Sequence, residues 1–577
     1  MGNIYASRVE ALRERMRAKG WDAVVITGSD PHSSECPAPR WKQVKWLSGF
    51  TGEAGDIVVT ACHAGLWTDT RYFIQAEKQL SGTGIVLHKT RVSGQVLIPE
   101  WLATEAFPGR DTVNVAVDGL CQRVSDIEDI RAAFDADTEV RIISVPDLLE
   151  EFWPDRPQVP ETPIFELSAG DVGESSDSKI EWLRGFIRRN GCASMLVTAL
   201  DEIAWLLNVR ASDIEYNPFV ISYLIVSEDE VKWFVRDNYN DIQIALSELE
   251  GPVFADPKTL NYHLYRMVDP SLLVLGDSPI PLRKAVKNAT EIEGMRLAHL
   301  RDGVVMERFL YWLEKTLESG EDISEWDAAC KLGELRAGIE GYMGDSFETI
   351  SAYGAGAALP HYVTPRHDAP LLERKGLYLS DSGGQYTYGT TDITRTVPLG
   401  PCTALEKEDY TLVLKGHIAL AMAVFPKGTA GCRIDVLARE PLWRSKRNFG
   451  HGTGHGVGFF LGVHEGPQDI RQNFNPQPLL PGMITSDEPG IYREGKHGVR
   501  HENLLLCKEA GKNDFGEWLE FEPLTLCHFD TSALIVEMLT TEERDWLNAY
   551  NRHVYETLSP YLSDPVAQWL AARTEAI

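Results

Sequence analysis

The sequence predicts two related α/β domains followed by an α+β domain and a C-terminal extension. Helical and strand-like segments alternate in the same coarse order over residues 1–158 and 159–285, which is typical of α/β domains. A proline-rich stretch at 153–163, WPDRPQVPETP, reads as the linker between these halves. From Ala289 the pattern changes to one long helix, followed by a glycine-rich region dominated by strands. A chain of 577 residues is also too long for a single hydrophobic core.

The first domain, predicted over 1–158, opens with a charged amphipathic helix. Ser7 and Glu10 have the spacing of a capping box, so this helix is predicted over 7–18. The remaining elements come from short apolar or β-branched runs and from one helical run. They are strands at 22–28, 56–60, 65–68 and 85–88, and a helix over 72–80.

The second domain, predicted over 159–285, repeats this order of helix, strand, helix and strand. Its predicted elements are helices over 179–190 and 200–207 and strands at 193–197, 219–226 and 230–235. The shared order hints at a duplicated domain, although no sequence motif repeats between the two halves.

The third domain, predicted over 286–514, begins with a helix over 291–316 whose apolar residues recur at three-and-four spacing. The extension over 515–577 contains a strand-like apolar run at 518–526 and a helix over 541–558. No chemistry falls in this extension, so its apolar residues are predicted to support a dimer.

Composition excludes several classes of partner. The hydrophobic content of 43% and charged content of 24% are those of a soluble globular protein. The net charge is −29, with acidic residues along the whole chain, whereas nucleic-acid and anionic-membrane binding both need a basic patch. No apolar run approaches the roughly 18 residues of a membrane span. We therefore expect no nucleic-acid partner and no membrane association.

The cysteines indicate a reducing compartment. Nine of them are scattered singly, without any C-x-x-C pair, and an odd number cannot all form disulfides. The N-terminus reads as a charged helix and not as a secretory signal peptide. A cytoplasmic location is the resulting prediction.

Two carboxylates dominate the stretch 376–399, which reads as two strands joined by a Gly-Gln-Tyr-Thr-Tyr-Gly break. Asp381 lies on the first arm and Asp392 on the second, eleven positions later. Residues distant in sequence face each other across an antiparallel ladder, so the two aspartates can share one small site. Either one alone would more often be a turn cap or a solvated strand residue. Together they repel, and need a cation between them if they are buried.

Further ligand-type residues follow in the glycine-rich region. His451, His455 and His464 lie within fourteen residues that include several glycines, in GHGTGHGVGFFLGVHEGP. The segment is neither a phosphate-binding loop nor an H-E-x-x-H zinc helix. Glu488 is predicted at a strand end before Pro-Gly, and Glu502 within an apolar strand.

A buried glutamate such as Glu502 needs a partner. An ion pair with Arg500, two residues earlier on the same strand face, is the simplest alternative to metal binding.

The combined set contains four carboxylates and one imidazole: Asp381, Asp392, His455, Glu488 and Glu502. Such hard, oxygen-rich ligation suits Mn²⁺ and also Co²⁺, Fe²⁺ or Zn²⁺. Four negative charges balance two divalent ions, which leaves a bridging hydroxide as the nucleophile. Two such ions would polarise a carbonyl group and stabilise the oxyanion formed on attack.

The ordered series DSGGQYTYGTTDITRT, HGTGHGVGFFLGVHEGP, DEPGIY and GVRHEN resembles the Xaa-Pro aminopeptidases (aminopeptidase P) of the pita-bread metallopeptidase group. The resemblance covers the whole chain. WLSGFTGEAG, WTDTRYF and DEIAWLLNVRASDIEYNP are similar to the two N-terminal domains of the long, three-domain form, and WLEFEPLTL and ERDWLNAYN to its C-terminal extension. It implies two creatinase-like domains, a catalytic domain with a strongly curved sheet wrapped by helices, and a homodimer formed through the catalytic region.

The resemblance also implies roles for individual residues. Asp392 and Glu502 would bridge two metal ions, Asp381 would chelate one, and His455 and Glu488 would complete the other. Glu488 would also act as general base.

Substrate contacts are implied in the same way. His361 would contact the substrate near the scissile bond, His451 would line the proline side of the cleft, and His464 would stabilise the tetrahedral intermediate. Three further residues are expected to bind substrate: Arg71, Tyr492 and Arg500.

The implied reaction is removal of the N-terminal residue from peptides whose second residue is proline. Peptide bonds to proline are tertiary amides with a restricted φ, which most peptidases do not accommodate. A prolidase-like dipeptidase is the alternative enzyme, although the long second domain and the extension favour action on longer peptides. A metal-free pita-bread binding module is a different class, but such modules lose the ligands, and all five are present here.

Overall fold

The computed structural model describes residues 3–577, which form two compact units. The first unit extends to Leu167 and includes Glu174–Ile280, and the second comprises Ser168–Gly173 and Pro281–Ile577. None of the helices formed by residues 3–577 has the combination of length and apolar character that a membrane span requires.

The first unit contains a six-stranded sheet, a five-stranded sheet and a two-stranded sheet, with helices between the strands. Its strands are β1 Ala23–Ile26, β2 Asp56–Thr60, β3 Ala64–Thr68, β4 Val86–Lys89, β5 Thr112–Val117, β6 Glu139–Ser144, β7 Phe165–Glu166, β8 Ser194–Val197, β9 Val209–Arg210, β10 Ser222–Ser227, β11 Val231–Val235, β12 Val253–Ala255 and β13 Leu273–Leu275. Its helices are α1 Ile4–Lys19, α2 Gln43–Ser48, α3 Phe73–Gln79, α4 Ile98–Trp101, α5 Val124–Ala133, α7 Ser176–Arg189, α8 Leu200–Leu207, α9 Ile242–Ser247 and α10 Tyr262–Tyr265.

The two larger sheets of this unit share one topology, and β7 and β9 form the two-stranded sheet. The first has the strand order β4-β3-β2-β1-β5-β6 and the second has the order β11-β10-β8-β12-β13. In each sheet a central strand, β1 or β8, pairs antiparallel with the next long strand and parallel with a later one. Strand for strand, the second sheet is the first without its edge strand β4. The predicted pair of related α/β domains is therefore confirmed, with the relation residing in topology and not in repeated motifs.

The predicted start of the first helix is wrong. The helix begins at Ile4 because the side chain of Asn3 accepts a hydrogen bond from the backbone N–H of Tyr5, at 2.9 Å. Ser7 lies inside the helix, where its hydroxyl bonds the carbonyl of Asn3. The asparagine satisfies a free N–H group of the first turn, so the helix can start before the predicted capping box.

The second unit contains most of the long helices and many short antiparallel strands. Its helices are α6 Ala169–Val172, α12 Ala289–Ser319, α13 Glu325–Ala337, α14 Ala404–Ala421, α15 Asp435–Arg444, α16 Thr541–Leu558 and α17 Asp564–Arg573, and α11 Ile280–Ala285 lies at the division between units. Its strands are β14 Tyr342–Asp345, β15 Ile350–Tyr353, β16 Leu377–Ser382, β17 Gly384–Tyr386, β18 Gly389–Thr390, β19 Ile393–Pro398, β20 Val424–Pro426, β21 Gly454–His455, β22 Asp469–Ile470, β23 Ile484–Asp487, β24 Gly490–Arg493, β25 His497–Arg500, β26 Asn503–Asn513 and β27 Gly516–Pro523.

Helix α12 confirms the long helix predicted from the apolar spacing. Asn288 and Glu291 form a reciprocal capping box at its start. Its buried residues Met306, Phe309 and Leu313 belong to one apolar core that also includes side chains of β16 and β19. The helix therefore supports the strands that carry the two aspartates.

The C-terminal segment is built into the second unit. β27 pairs with β26 and β20 in a four-stranded sheet, so the predicted boundary at 514–515 falls in the turn of a hairpin. Leu547, Val554 and Leu558 of α16 are fully buried in a core shared with α14. The apolar residues that we assigned to a dimer surface thus pack into the chain's own core. The residues that they contact lie far away in sequence, so the local pattern did not reveal them. Dimerisation itself remains a prediction.

Candidate metal centre

The two aspartates lie side by side, as the sequence predicts. β16 and β19 are antiparallel, and their register places Asp381 opposite Thr394 and Ser382 opposite Ile393. Asp392 immediately precedes β19 and so lies next to the end of β16. Oxygen atoms of Asp381, Asp392 and Glu502 all lie within 4.8 Å of one another.

Glu502 occupies a break between two strands and not the interior of one. β25 ends at Arg500, and β26 begins at Asn503. The backbone N–H of Glu502 donates to the carbonyl of Thr394 at 3.1 Å. The Thr394 hydroxyl donates to Oε2 of Glu502 at 2.8 Å. β19 therefore holds both the main chain and the carboxylate of Glu502.

The alternative that we considered for Glu502, an ion pair with Arg500, is wrong. Arg500 is buried and pairs with Asp381, and it also donates to the Tyr492 hydroxyl at 2.7 Å and to the Thr394 hydroxyl at 3.1 Å. The strand ends between Arg500 and Glu502, so the two-residue alternation of side chains does not apply to them.

His455 presents one ring nitrogen to the carboxylates. Its Nδ1 bonds the carbonyl of Gly456 at 2.9 Å. Its Nε2 lies 3.4 Å from Asp392 Oδ2 and 3.5 Å from Glu488 Oε1. A proton on Nδ1 leaves the Nε2 lone pair directed at the site, as a metal ligand requires.

A glycine permits this arrangement. The backbone at Gly454 runs so close to β23 that a Cβ atom there would lie 1.9 Å from the carbonyl oxygen of Ser486. This close approach lets the N–H of His455 donate to the Ser486 hydroxyl at 3.0 Å, and the same hydroxyl donates to Glu488 Oε1 at 3.2 Å. Ser486 thus links the histidine and the glutamate, a role that the sequence analysis missed.

The other predicted histidines lie in the same unit. The His464 ring is 4.4 Å from the His455 ring and nearly perpendicular to it, and ligand atoms of Asp392, His455 and His464 lie within 4.8 Å of one another. Nε2 of His451 lies 2.8 Å from the Tyr492 hydroxyl.

His361 follows Pro360, whose carbonyl accepts a hydrogen bond from Arg500 at 3.4 Å. Arg71 lies in the first unit, where it forms a two-point ion pair with the buried Asp69, at 2.8 and 2.9 Å.

Burial raises the pKa of three of the carboxylates. Burial raises the pKa of Asp381, although Arg500 opposes this. Burial raises the pKa of Glu502 well above its usual value, and repulsion from Asp392 and Glu488 adds to the effect. Burial likewise raises the pKa of Glu488, which the His455 ring opposes. Carboxylates held this close are stable in their charged form only with added positive charge.

The family descriptions that match the chain cover nearly all of it. Residues 293–509 match the description "Metallopeptidase family M24", and residues 517–577 match the C-terminal region of that peptidase family. Two matches to the creatinase/prolidase N-terminal domain cover residues 8–152 and 155–246. The second match agrees with the duplicated topology of the first unit.

Similar proteins match over the full length. A probable Xaa-Pro aminopeptidase P of Laccaria bicolor is 37% identical, over 98% of this chain and 92% of that protein. Aminopeptidase P1 of Arabidopsis thaliana is 34% identical, over 96% of each chain. Among solved structures, the X-prolyl aminopeptidase of Caenorhabditis elegans, described as a cytosolic enzyme with a di-nuclear active site, superimposes with a TM-score of 0.93 at 33% identity over 99% of each chain.

Proposed function

Because the chain belongs to the Xaa-Pro aminopeptidase P family, we propose that it removes the N-terminal residue from peptides whose second residue is proline. It is a metal-dependent aminopeptidase with a site for two divalent ions. The observation that carries this function is the cluster of four carboxylates and one imidazole, which gathers residues from segments up to 121 positions apart, from Asp381 to Glu502.

The residues fit a pair of divalent ions. Oδ1 of Asp381 is buried without a hydrogen-bond partner among residues 3–577, which is costly unless a cation contacts it. Asp392 and Glu502 each belong both to a group with Asp381 and to a group with His455. This supports the proposal that Asp392 and Glu502 would serve both ions, that Asp381 would hold one, and that His455 and Glu488 would hold the other.

We propose Mn²⁺ as the preferred ion, with Co²⁺, Zn²⁺ and Fe²⁺ as alternatives. The donor set is oxygen-rich and contains a single imidazole, as hard divalent ions prefer. When bound, the two ions supply Lewis-acid activation of water and of the scissile carbonyl.

Within this site, Glu488 is the group that accepts the proton as water attacks the scissile carbonyl. The hydrogen bond from Ser486 fixes the orientation of its carboxylate. His464 lies beside His455 and is exposed, so it is placed to donate a hydrogen bond to the oxyanion that develops.

The substrate is held by the remaining predicted residues. Arg500 donates to the Tyr492 hydroxyl, which lies 2.8 Å from Nε2 of His451, so these three side chains are connected through hydrogen bonds. We assign His451 to the proline side of the cleft and His361 to the scissile bond. Arg71 is assigned to substrate binding on the family resemblance.

A peptide panel tests the function. We expect hydrolysis of X-Pro-Y peptides, negligible hydrolysis of X-Ala-Y, and slower hydrolysis of X-Pro. A chelator should abolish activity, and Mn²⁺ should restore it better than the other ions. Preference for X-Pro over X-Pro-Y would favour the prolidase-like alternative, and full activity in thoroughly stripped protein would refute metal dependence.

Metal content separates the ligands from the substrate contacts. Asp392→Asn should lose most of the bound metal, because the Asp392 carboxylate is proposed to serve both ions. His361→Ala should retain the metal, because His361 is not a proposed ligand. Elemental analysis after dialysis measures both variants. Equal metal loss in the two would contradict this division of roles.

We also propose a homodimer in the cytoplasm. The family resemblance supports the dimer, and the Caenorhabditis elegans relative is described as cytosolic. All nine cysteines are free thiols, which suits a reducing compartment. Light scattering during gel filtration measures the mass in solution, and a monomeric mass at assay concentrations would refute the dimer. Subcellular fractionation tests the location, and enzyme found only in a sealed or secreted fraction would refute it.

A further inference from the structure

The second unit contains a cavity of about 400 Å³ that is separate from the metal centre. It lies among α12, the turn that follows β19 and the C-terminal helix α17, and none of the five proposed metal ligands lines it. Its volume falls within the range of about 300–1,000 Å³ typical of small-molecule sites. We propose that this cavity binds a small organic carboxylate with an apolar body.

The acidic residues of the cavity are already paired. Glu314 accepts hydrogen bonds from the Trp569 indole at 3.0 Å and from Arg573. Asp530 accepts from the hydroxyl and the N–H of Ser532, at 2.5 and 2.7 Å. Glu318 forms an ion pair with Lys315 at 2.8 Å. Each of these carboxylates therefore already has a donor from the chain itself.

Two cations of the cavity are not paired. Arg374 and Lys407 both line it, and neither side chain forms a hydrogen bond or an ion pair within the described range, residues 3–577. An anion entering the cavity would gain charge-assisted hydrogen bonds from both.

The remaining residues that line the cavity are mostly apolar, which favours an anion with an apolar body. Leu310, Leu313 and Leu317 recur along one face of α12 and line the cavity together with Trp569, which packs against the same core cluster. His528 also reaches the cavity, and its ring is fixed because Nδ1 lies 2.8 Å from the buried carboxylate of Glu307. An inorganic anion would leave these apolar surfaces uncovered, whereas an amphipathic carboxylate would cover them.

Calorimetric titration of the Mn²⁺-loaded enzyme tests the proposal with a matched pair of probes. 4-Phenylbutyrate carries the carboxylate, and 4-phenylbutanol has the same apolar body without charge. We expect one phenylbutyrate per chain, bound about tenfold or more tightly than the alcohol, since one charge-assisted hydrogen bond is worth about that factor.

Variants locate the bound probe. The double substitution Arg374→Glu/Lys407→Glu should weaken phenylbutyrate at least about tenfold and leave phenylbutanol unchanged. Lys78→Glu/Lys512→Glu changes the net charge equally at exposed positions outside the cavity and should bind like the wild type. If the double glutamate variant has a lower Tm than the wild type, the milder variant Arg374→Gln/Lys407→Gln is used in its place.

Three results would overturn the proposal. The first is equal affinity for the two probes, or no binding of either. The second is unchanged phenylbutyrate binding in both cavity variants. The third is binding that disappears on chelation and survives the cavity substitutions, since that would place the carboxylate at the metal centre.

Discussion

Thr394→Val should weaken metal binding although Thr394 is not a proposed ligand. Its hydroxyl donates to Glu502 at 2.8 Å and accepts from Arg500 Nε at 3.1 Å, and the residue is fully buried. Valine keeps the shape and removes both bonds. A hydrogen bond to a charged group contributes about 1.5–3 kcal/mol, which corresponds to about 10- to 100-fold in affinity at 1.4 kcal/mol per tenfold. Loss of a residue that orients a metal ligand typically has an effect of this size.

The assay is titration of stripped protein with Mn²⁺, following bound metal and activity together. Thr396→Val is the matched control, because Thr396 lies two residues along the same strand and is equally buried. Its hydroxyl bonds only the backbone of Arg500, at 2.9 and 3.0 Å. Affinity of Thr394→Val within threefold of the wild type, or equal loss in the control, would refute the reasoning.

Three further predictions follow from the same structure. Glu488→Gln should lower kcat by about 10²–10⁴ and His464→Ala by about 10²–10³, both with near-normal KM in fully metallated enzyme, because these contacts strengthen in the transition state. Leu547→Ala should lower the free energy of unfolding by about 2–5 kcal/mol in urea titrations, whereas the exposed Asp545→Ala should change it little. Burial opposes ionisation of Asp409, but hydrogen bonds from an arginine and a histidine hold its pKa at about 2, below the ordinary 3.8. The ionised form of Asp409 therefore adds about 2 kcal/mol to the free energy of unfolding above pH 4, and this contribution is lost as the pH falls toward 2. In acid unfolding measured with chelator present, so that metal loss does not contribute, Asp409→Asn should lack this part of the transition.

Each of these has a contradicting result. Wild-type kcat in metallated His464→Ala would make that histidine structural. A loss below 1 kcal/mol in Leu547→Ala would mean that the C-terminal helix is not part of the core. Identical acid unfolding curves for wild type and Asp409→Asn would remove the ion pair as a source of stability.

Much of the fold follows from local patterns. The strand at 56–60 and the helices over 200–207 and 541–558 match the observed elements β2, α8 and α16 residue for residue. Hydrophobic spacing and β-branched runs determine such elements because only neighbouring residues are involved. The types of ligand, carboxylate and imidazole, can also be identified from the sequence. These types predict the kind of metal ion that the site prefers.

Tertiary structure alone decided how those residues meet. Arg500 pairs with Asp381 and not with Glu502, because the strand breaks at 501–502 and Glu502 is held instead by Thr394 on another strand. The C-terminal apolar residues pack against α14, more than 100 positions earlier, and so do not form the free surface that their pattern alone suggested. Such pairings depend on where distant segments of the chain come to lie, and no local period of the sequence encodes that.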